Sequence, residues 1–311
     1  MPMSLLPVGF TTLRRIIGLG LLLLLGGCSV LRLAYDQAPN LSYWWIDGYL
    51  DVSGEQTPAL RDAIDGWFAW HRRTQLPEYA ALLARAQREV IEPTTPSAIC
   101  GWSAEIEKRI DSALEEAVPA AAELILSLSP AQLQHMERRM AKGLTEARSD
   151  FAQADRAERL SKSFERSLDR VETLYGRLDA PQRERLAALL SQSTFDPERW
   201  LAERRLRQRE MLQALATASA AGRGGTERSA ALQQAQAAAR AIAARFTRSP
   251  RADYRAYQQR LLQDNCQLAA TMHNAMSPAQ RQAARAKLKG WEDDLRSLAA
   301  SASGGAGASS R

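Results

Sequence analysis

Hydrophobic positions recur at intervals of three and four residues along most of the chain. Leu60, Ile64 and Phe68, for example, would share one face of a helix. Further stripes with this spacing are Ile99, Trp102, Ile106 and Ile110, then Leu133, Met136, Met140, Leu144, Ala147 and Phe151, and finally Leu288, Trp291, Leu295 and Leu298. Alternation of apolar and polar residues, which is typical of strands, is absent over any useful length. The pattern predicts an all-α fold, a bundle of long amphipathic helices.

Prolines mark where these helices begin. A side chain able to cap a helix stands directly before a proline at six places, and proline is favoured in a first helical turn. The pairs are Thr57-Pro58, Thr95-Pro96, Ser129-Pro130, Asp196-Pro197, Ser249-Pro250 and Ser277-Pro278. No proline follows Pro130 until after Leu178, which predicts one very long helix with a bend near Gly143. Glycines within 218–226 predict a loop.

A short segment recurs three times: an apolar residue, a capping residue, two further residues and a glutamine. The copies are 128–132, 178–182 and 276–280. Each predicts a capping box, in which the Ser or Asp accepts from a backbone amide and the glutamine returns a hydrogen bond to the cap. One helical hairpin per copy would fit, but three copies do not establish a solenoid.

The N-terminus has the three parts of a secretory signal. Arg14 and Arg15 supply positive charge, ten apolar residues follow at 16–25, and two glycines precede Cys28. Leu25-Gly26-Gly27-Cys28 resembles the lipobox of bacterial lipoproteins. A transmembrane anchor is the alternative, but a span needs about 20 apolar residues. We therefore expect cleavage after residue 27 and lipidation of Cys28, with acyl chains such as palmitate.

The residue after Cys28 is Ser29 rather than Asp. By resemblance to the Gram-negative sorting rule, this favours the outer membrane over the inner one, with the protein facing the periplasm. The resulting divisions are a signal peptide (1–27), a tether (28–40), a helical domain (41–300) and a disordered tail rich in Gly, Ser and Ala (301–311).

Without Arg14 and Arg15 the chain has 39 basic and 35 acidic residues, a net charge of +4 over 284 residues. This mild balance does not indicate a nucleic-acid partner. Besides Cys28, two cysteines remain, Cys100 and Cys266. In an oxidising compartment such a pair predicts a disulfide, with two buried free thiols as the alternative.

Candidate chemistry is sparse. His71 has Glu78 nearby in sequence, which suggests an acid–base pair, but no nucleophile motif accompanies it. A histidine that follows an aromatic helix face is more often a hydrogen-bonded packing residue, so we assign no catalytic residue. His71, His135 and His273 lack neighbours at ligand spacing, and we expect no metal and no cofactor. Met272 and Met276 beside His273 could bind copper, but methionines at this spacing are typical of a core.

The strongest basic run predicts a solvated helix face, because glutamates interleave with it. Contact with anionic lipid headgroups or an acidic partner is the sharper alternative. The run consists of Arg199, Arg204, Arg205, Arg207 and Arg209.

An aromatic series distinguishes the region before residue 80: Tyr43-Trp44-Trp45, Trp70-His71-Arg72-Arg73 and Leu76-Pro77-Glu78-Tyr79. Behind a lipobox, this series resembles an uncharacterised family of proteobacterial lipoproteins. The resemblance implies an all-helical, periplasm-facing lipoprotein and supplies no activity. Within the series Trp70, His71, Arg72 and Tyr79 are the candidate binding residues. The capping boxes also resemble the Leu-Thr-x-x-Gln segments of periplasmic chaperones and stress sensors.

These observations predict a non-enzymatic binding or scaffold protein, tethered by its lipid and possessing an envelope partner. The alternatives are a cryptic envelope enzyme using the Trp70-His71-Arg72 region, or an envelope-stress chaperone or sensor. A deep polar cleft at His71 would favour the enzyme, and an exposed apolar groove would favour the binding protein.

Overall fold

A computed structural model describes residues 30–225 and 227–305, which form ten α-helices and no strand. They are α1 (Val30–Leu50), α2 (Thr57–Glu89), α3 (Pro96–Ser127), α4 (Pro130–Phe151), α5 (Arg156–Tyr175), α6 (Ala180–Ser191), α7 (Pro197–Arg223), α8 (Arg228–Thr247), α9 (Ala252–Asn274) and α10 (Pro278–Gly305). The all-α prediction is confirmed. The expected signal peptide and Cys28 lie outside the described residues.

Most of the expected helix starts are present. The side chains of Thr95, Ser129 and Asp196 each accept from a backbone amide in the first turn of the helix that follows. Thr57 is instead the first residue of α2, and its hydroxyl donates to the Ser53 carbonyl at 3.0 Å. The start expected at Ser249-Pro250 is wrong. Helix α9 begins at Ala252, because the Ser249 hydroxyl is buried and donates to the Glu203 carboxylate at 2.7 Å.

The single long helix predicted after Pro130 is also wrong, since the chain breaks at 152–155 between α4 and α5. Asp155 caps α5 by accepting from the amides of Ala157 and Glu158. The preceding carbonyls of Gln153 and Ala154 accept from the Arg159 guanidinium. These local side-chain bonds satisfy the backbone without a continuous helix.

The predicted loop at 218–226 is shorter than expected, because α7 continues to Arg223. Gly222 lies against the end of α3, where a Cβ atom would stand 2.8 Å from the Leu126 carbonyl oxygen. At this position glycine therefore allows two helices to approach closely rather than marking a loop.

The larger core lies between α3, α4, α7 and α8. Alanines on α8 are fully or nearly fully buried, which lets α3 and α7 pack close against that helix. The buried residues of the larger core are Leu50, Val118, Ala122, Ile125, Leu128, Met136, Met140, Leu215, Ala218, Ala235 and Ala239.

A second region is built on the antiparallel pair of α2 and α10. Val90, Ala284 and Leu288 are buried between these helices. A neighbouring cluster of α5, α6 and α9 adjoins them, with Leu178, Leu186, Met272 and Met276 at its centre. No helix among the described residues is long and apolar enough to span a bilayer.

Helix α1 connects the two regions. Ile46, Tyr49 and Leu50 pack into the larger core, while the Arg32 guanidinium lies 3.3 Å from the Asp294 carboxylate on α10. Residues 30–40, which the sequence analysis assigned to a tether, are thus helical and packed on the body. At the other end α10 reaches Gly305, and 306–311 of the expected tail lie outside the described residues.

The predicted disulfide is present. Cys100 on α3 and Cys266 on α9 are joined with their Cα atoms 5.6 Å apart, across a sequence separation of 166. The bond ties α9 to α3 and therefore links the two regions covalently. Because closing a loop of this length restricts the unfolded chain, the bond raises the free energy of unfolding by at most about 5 kcal/mol.

The capping boxes are present and they meet in pairs. Gln182 caps α6 with Asp179, and Gln280 caps α10 with Ser277. The two glutamine side chains then exchange hydrogen bonds, 2.7 Å from Gln182 to Gln280 and 2.9 Å in return. Each amide nitrogen also donates to a backbone carbonyl of the partner's segment, at Ala275 and Arg177 respectively.

Gln132 has a partner that the sequence analysis missed. Ser53 and Gln56 form a fourth box at the start of α2, and Gln132 donates to the Gln56 side chain at 2.7 Å and to the Asp51 carbonyl at 3.1 Å. The segment 52–56 follows the same scheme of apolar residue, cap, two residues and glutamine. The repeat therefore consists of four copies that join helix starts in two pairs.

Replacing one glutamine of a pair should cost more than an exposed replacement. Gln182→Ala removes the two bonds that it exchanges with the Gln280 amide and leaves the Ala275 carbonyl without its donor, so we expect the free energy of unfolding to fall by about 1–3 kcal/mol. Urea unfolding of Gln182→Ala, Gln280→Ala and the double variant measures this, with exposed Gln234→Ala as control. Additive effects of the two single variants would contradict the pairing, because contacting residues couple.

Candidate functional site

His71 lies inside a group of aromatic side chains, here called the aromatic cluster: Tyr35, Trp67, Phe68, Trp70, His71 and Tyr79. Trp67 stands one helical turn before His71, so the two rings stack at 4.8 Å with an interplanar angle of 19°. Tyr79, two turns later, meets His71 edge-on at 5.4 Å. The Tyr35 hydroxyl of α1 lies 2.9 Å from Nδ1 of His71. The expectation that His71 is a hydrogen-bonded packing residue is confirmed.

The protonation states in this cluster follow from burial. Burial lowers the pKa of His71 below its ordinary value of 6.5. Burial also raises the pKa of Tyr35 to about 12, against the opposing effect of Arg72. At neutral pH Tyr35 therefore keeps its proton and the imidazole is neutral, and one hydrogen bond joins the hydroxyl to Nδ1. This arrangement positions a ring for packing.

The acid–base pair considered for His71 and Glu78 does not form. The Glu78 carboxylate lies 3.3 Å from the Arg109 guanidinium of α3 instead. Among the described residues, no carboxylate lies within salt-bridge distance of His71. The imidazole therefore lacks the acidic group that would orient a general base.

The other candidate residues lie on α2, and one of them, Arg72, contacts α1. Arg72 lies over the Tyr35 ring at 5.1 Å and pairs with the Asp36 carboxylate at 2.9 Å. It also donates to the Ser301 hydroxyl on α10 at 3.0 Å. Burial raises the pKa of Tyr79. Trp70 and Tyr79 thus lie beside His71, and the contacts of Arg72 hold α1 against α2 and α10.

A second tyrosine–histidine pair lies in the other region, at the position considered for copper. The Tyr175 hydroxyl is 2.8 Å from Nδ1 of His273, whose Nε2 donates to the Glu92 carbonyl at 2.7 Å. Burial lowers the pKa of His273, with Arg281 acting in the same direction. Met272 and Met276 are buried in the core, and the described residues contain no metal-holding group of His, Cys, Asp or Glu.

The basic run on α7 is engaged in contacts within the chain. Arg199 pairs with Asp253 at 3.3 Å, and Arg207 donates to the Arg245 carbonyl at 3.1 Å. Glu203, which interleaves with the run, is 2 % exposed. Burial raises its pKa, but hydrogen bonds from Arg251 and Ser249 outweigh that effect and the pKa is lowered. These contacts support a structural role for this face.

An open groove of about 630 Å³ lies elsewhere, between α3 and α8. The two helices that border it carry exposed apolar side chains: Ile106 and Ile110 on α3, and Phe246 on α8, which is exposed by 71 %. Ile106 and Ile110 belong to an apolar stripe that the spacing indicated, and both are exposed to solvent. Polar residues that line the groove include Asp111, Glu115, Arg240, Arg245, Arg248 and Arg255.

No sequence pattern predicts this groove. Its arginines are spread over α8 and the start of α9, and each alone looks like an ordinary surface residue. A smaller hollow of about 460 Å³ is lined by Asp179, Gln182, Thr271 and Asn274. His71 lines neither hollow.

Fold and site together define an all-helical protein with an internal aromatic cluster and an arginine-lined groove, and comparison with known sequences assigns it further. The chain belongs to a family of unknown function (DUF6279), whose model matches residues 48–239. The match includes the segment from Trp70 to Tyr79, on which the resemblance to an uncharacterised family was based. Searches of curated proteins and of solved structures find no match.

Removing the imidazole should destabilise the fold. In His71→Ala the Tyr35 hydroxyl loses its partner and Trp67 loses its stacking contact, so we expect the free energy of unfolding to fall by about 1–3 kcal/mol. Tyr35→Phe should act in the same direction. Denaturant unfolding measures both, and exposed Arg73→Ala is the control. An unchanged stability of His71→Ala would contradict the packing role.

The same site predicts a pH dependence. Because the folded protein holds the pKa of His71 below 6.5, the unfolded chain takes up this proton first as pH falls. Stability should therefore be complete above about pH 6.5 and decrease below it. His71→Gln removes this contribution. Between pH 7 and pH 5 the variant should therefore lose less stability than the wild type, because only His273 and the carboxylates still contribute. A curve parallel to the wild-type curve would refute the predicted shift.

Proposed function

We propose that the protein is a lipid-anchored helical lipoprotein of the outer membrane, facing the periplasm, with a non-enzymatic binding or scaffold role. The anchor is inferred from Leu25-Gly26-Gly27-Cys28 and Ser29, which lie outside the described residues. Acyl chains contribute about 0.8 kcal/mol per buried methylene, so two or three of them hold a protein at a membrane without a spanning helix.

The observation that carries the binding role is the groove between α3 and α8. The helices that border it also carry exposed apolar side chains, Ile106, Ile110 and Phe246, and exposed apolar surface is typical of interaction sites. Arginines outnumber the carboxylates in its lining. A partner segment with apolar side chains and carboxylates of its own fits this chemistry.

The alternatives have less support. An enzyme using Trp70-His71-Arg72 would need a cleft and a charged partner at His71, whereas this ring is packed between Trp67 and Tyr35. In a chaperone or sensor related through the capping boxes, those segments would be available to clients. Here Gln132 and Gln182 are buried. Gln132 is bonded to Gln56, and Gln182 is bonded to Gln280.

Anchoring is tested at its single attachment residue. Cys28→Ala removes the thiol that would carry the lipid, so a metabolically incorporated fatty-acid probe should label the wild-type protein and not the variant. In detergent phase separation the variant should partition into the aqueous phase, or it should keep its uncleaved signal peptide. Equal labelling of both proteins would refute the lipoprotein proposal.

The groove is tested by crosslinking in intact envelopes. A photoreactive residue at Leu114 or Ala244, both in the groove lining, should give a discrete adduct with an envelope component. The matched control is Leu262, an exposed apolar residue on α9 outside the groove lining. Equal adducts at all three positions, or none at the groove positions, would contradict the binding role. An activity on envelope substrates that His71→Ala abolishes would favour the enzyme.

A further inference from the structure

One side of α1 carries a stripe of exposed apolar residues, here called the outer stripe: Leu33, Leu41, Trp44 and Trp45. Their exposed fractions are 64 %, 54 %, 64 % and 67 %, which is unusual for four large apolar side chains on one 21-residue helix. At about 100° per residue they fall within one third of the helix circumference. The outer stripe therefore runs along nearly the whole helix.

The opposite side of α1 is already committed to the fold. Ile46, Tyr49 and Leu50 face the larger core, and Tyr35 is bonded to His71. The outer stripe thus cannot turn inward without breaking these contacts. Whatever covers it must come from outside the body.

The charged side chains of α1 are Arg32, Asp36 and Asp47, and none of them belongs to the outer stripe. The Asp36 carboxylate is paired with Arg72 at 2.9 Å. Two further arginines stand beside tyrosines of this helix. Arg61 lies over the Tyr43 ring at 3.8 Å, and Arg139 lies over the Tyr49 ring at 5.6 Å. By helical spacing Tyr43 and Tyr49 stand on opposite flanks of the outer stripe.

The position of α1 in the chain identifies the occupant. Its first residue, Val30, follows Cys28 by two positions, which is at most about 7 Å of extended chain. An acylated Cys28 would hold the start of α1 at the lipid surface. A helix standing upright there would carry Trp44 and Trp45 about 21 Å away from the surface. A helix lying flat brings all of the outer stripe to it.

We propose that α1 lies along the membrane surface, with the outer stripe inserted at the boundary of headgroups and acyl chains. Tryptophan is favoured at this depth, because its ring is apolar and its N–H remains able to donate. Arg61 and Arg139 would then face lipid phosphates on either flank. This inference rests on the proposed lipid anchor, and it adds that the anchor fixes the orientation of the body rather than leaving it on a free tether.

The test uses the mature protein purified from membranes and reconstituted in vesicles of phosphatidylethanolamine and phosphatidylglycerol. Brominated acyl chains quench tryptophan fluorescence on contact. The chain has seven tryptophans, of which two belong to the outer stripe. We expect quenching in the wild-type protein and loss of most of it in the double variant Trp44→Phe, Trp45→Phe. Trp102→Phe is the matched control and should be quenched as the wild type is.

The outcomes separate this inference from the anchor. A mass measurement on the same preparation reports acylation of Cys28. Acylated protein whose Trp44 and Trp45 are not quenched overturns the surface orientation and leaves the anchor standing. Quenching of these residues in unacylated protein supports the surface orientation and refutes the anchor. A stable dimer in detergent that the double variant dissociates would assign the outer stripe to a second copy and overturn the inference.

Discussion

Backbone amides at the helix starts are the constraint on which this fold depends. A helix leaves its first amides without partners in the backbone, and the segments that precede the helices must supply them. Four of these starts use the same solution, a Ser or Asp that accepts from the backbone and a glutamine that bonds back. This bond uses one lone pair of the glutamine Oε1, which leaves both N–H donors and the second lone pair free. Each of these glutamines therefore also reaches another helix start.

This second use converts a local device into a tertiary contact. Gln132 joins the start of α4 to the start of α2, and Gln182 joins the start of α6 to the start of α10. Because each glutamine is itself held by its own cap, the two amides meet with little side-chain freedom left to lose. The two glutamine pairs thereby fix the positions of the loops that they join. The directions of the helices that follow these loops are set in the same way.

Sequence periodicity predicted the helices because burial on one face of a helix imposes it. Beyond periodicity, the sequence predicted most of the caps from the residues that precede prolines, and the Cys100–Cys266 bond from its two remaining cysteines. It could not predict the break after Phe151, where Asp155 and Arg159 satisfy the backbone through side chains that look like ordinary surface charges. Nor could it separate buried stripes from exposed ones. Ile106 and Ile110 have core spacing, yet both are exposed.

The pairing of distant residues was likewise beyond the sequence. Tyr35 as the partner of His71 and Gln56 as the partner of Gln132 each depend on how helices are arranged in space. Gln56 carried a readable signal, since the segment 52–56 repeats the capping scheme. Its valine and glycine made it look unlike the other three copies.

The span of the family match, 48–239, bears on what the folding unit is. Three of the ties described above join a residue inside that span to one outside it: His71 to Tyr35, Cys100 to Cys266, and Gln182 to Gln280. Helix α2, inside the span, has its most extensive packing with α10, which lies outside it. A chain cut to 48–239 would expose the apolar faces of α2 and of α6 and leave buried amides unpaired. The matched span therefore contains the buried residues of the larger core but only part of the second region, whose packing needs α9 and α10.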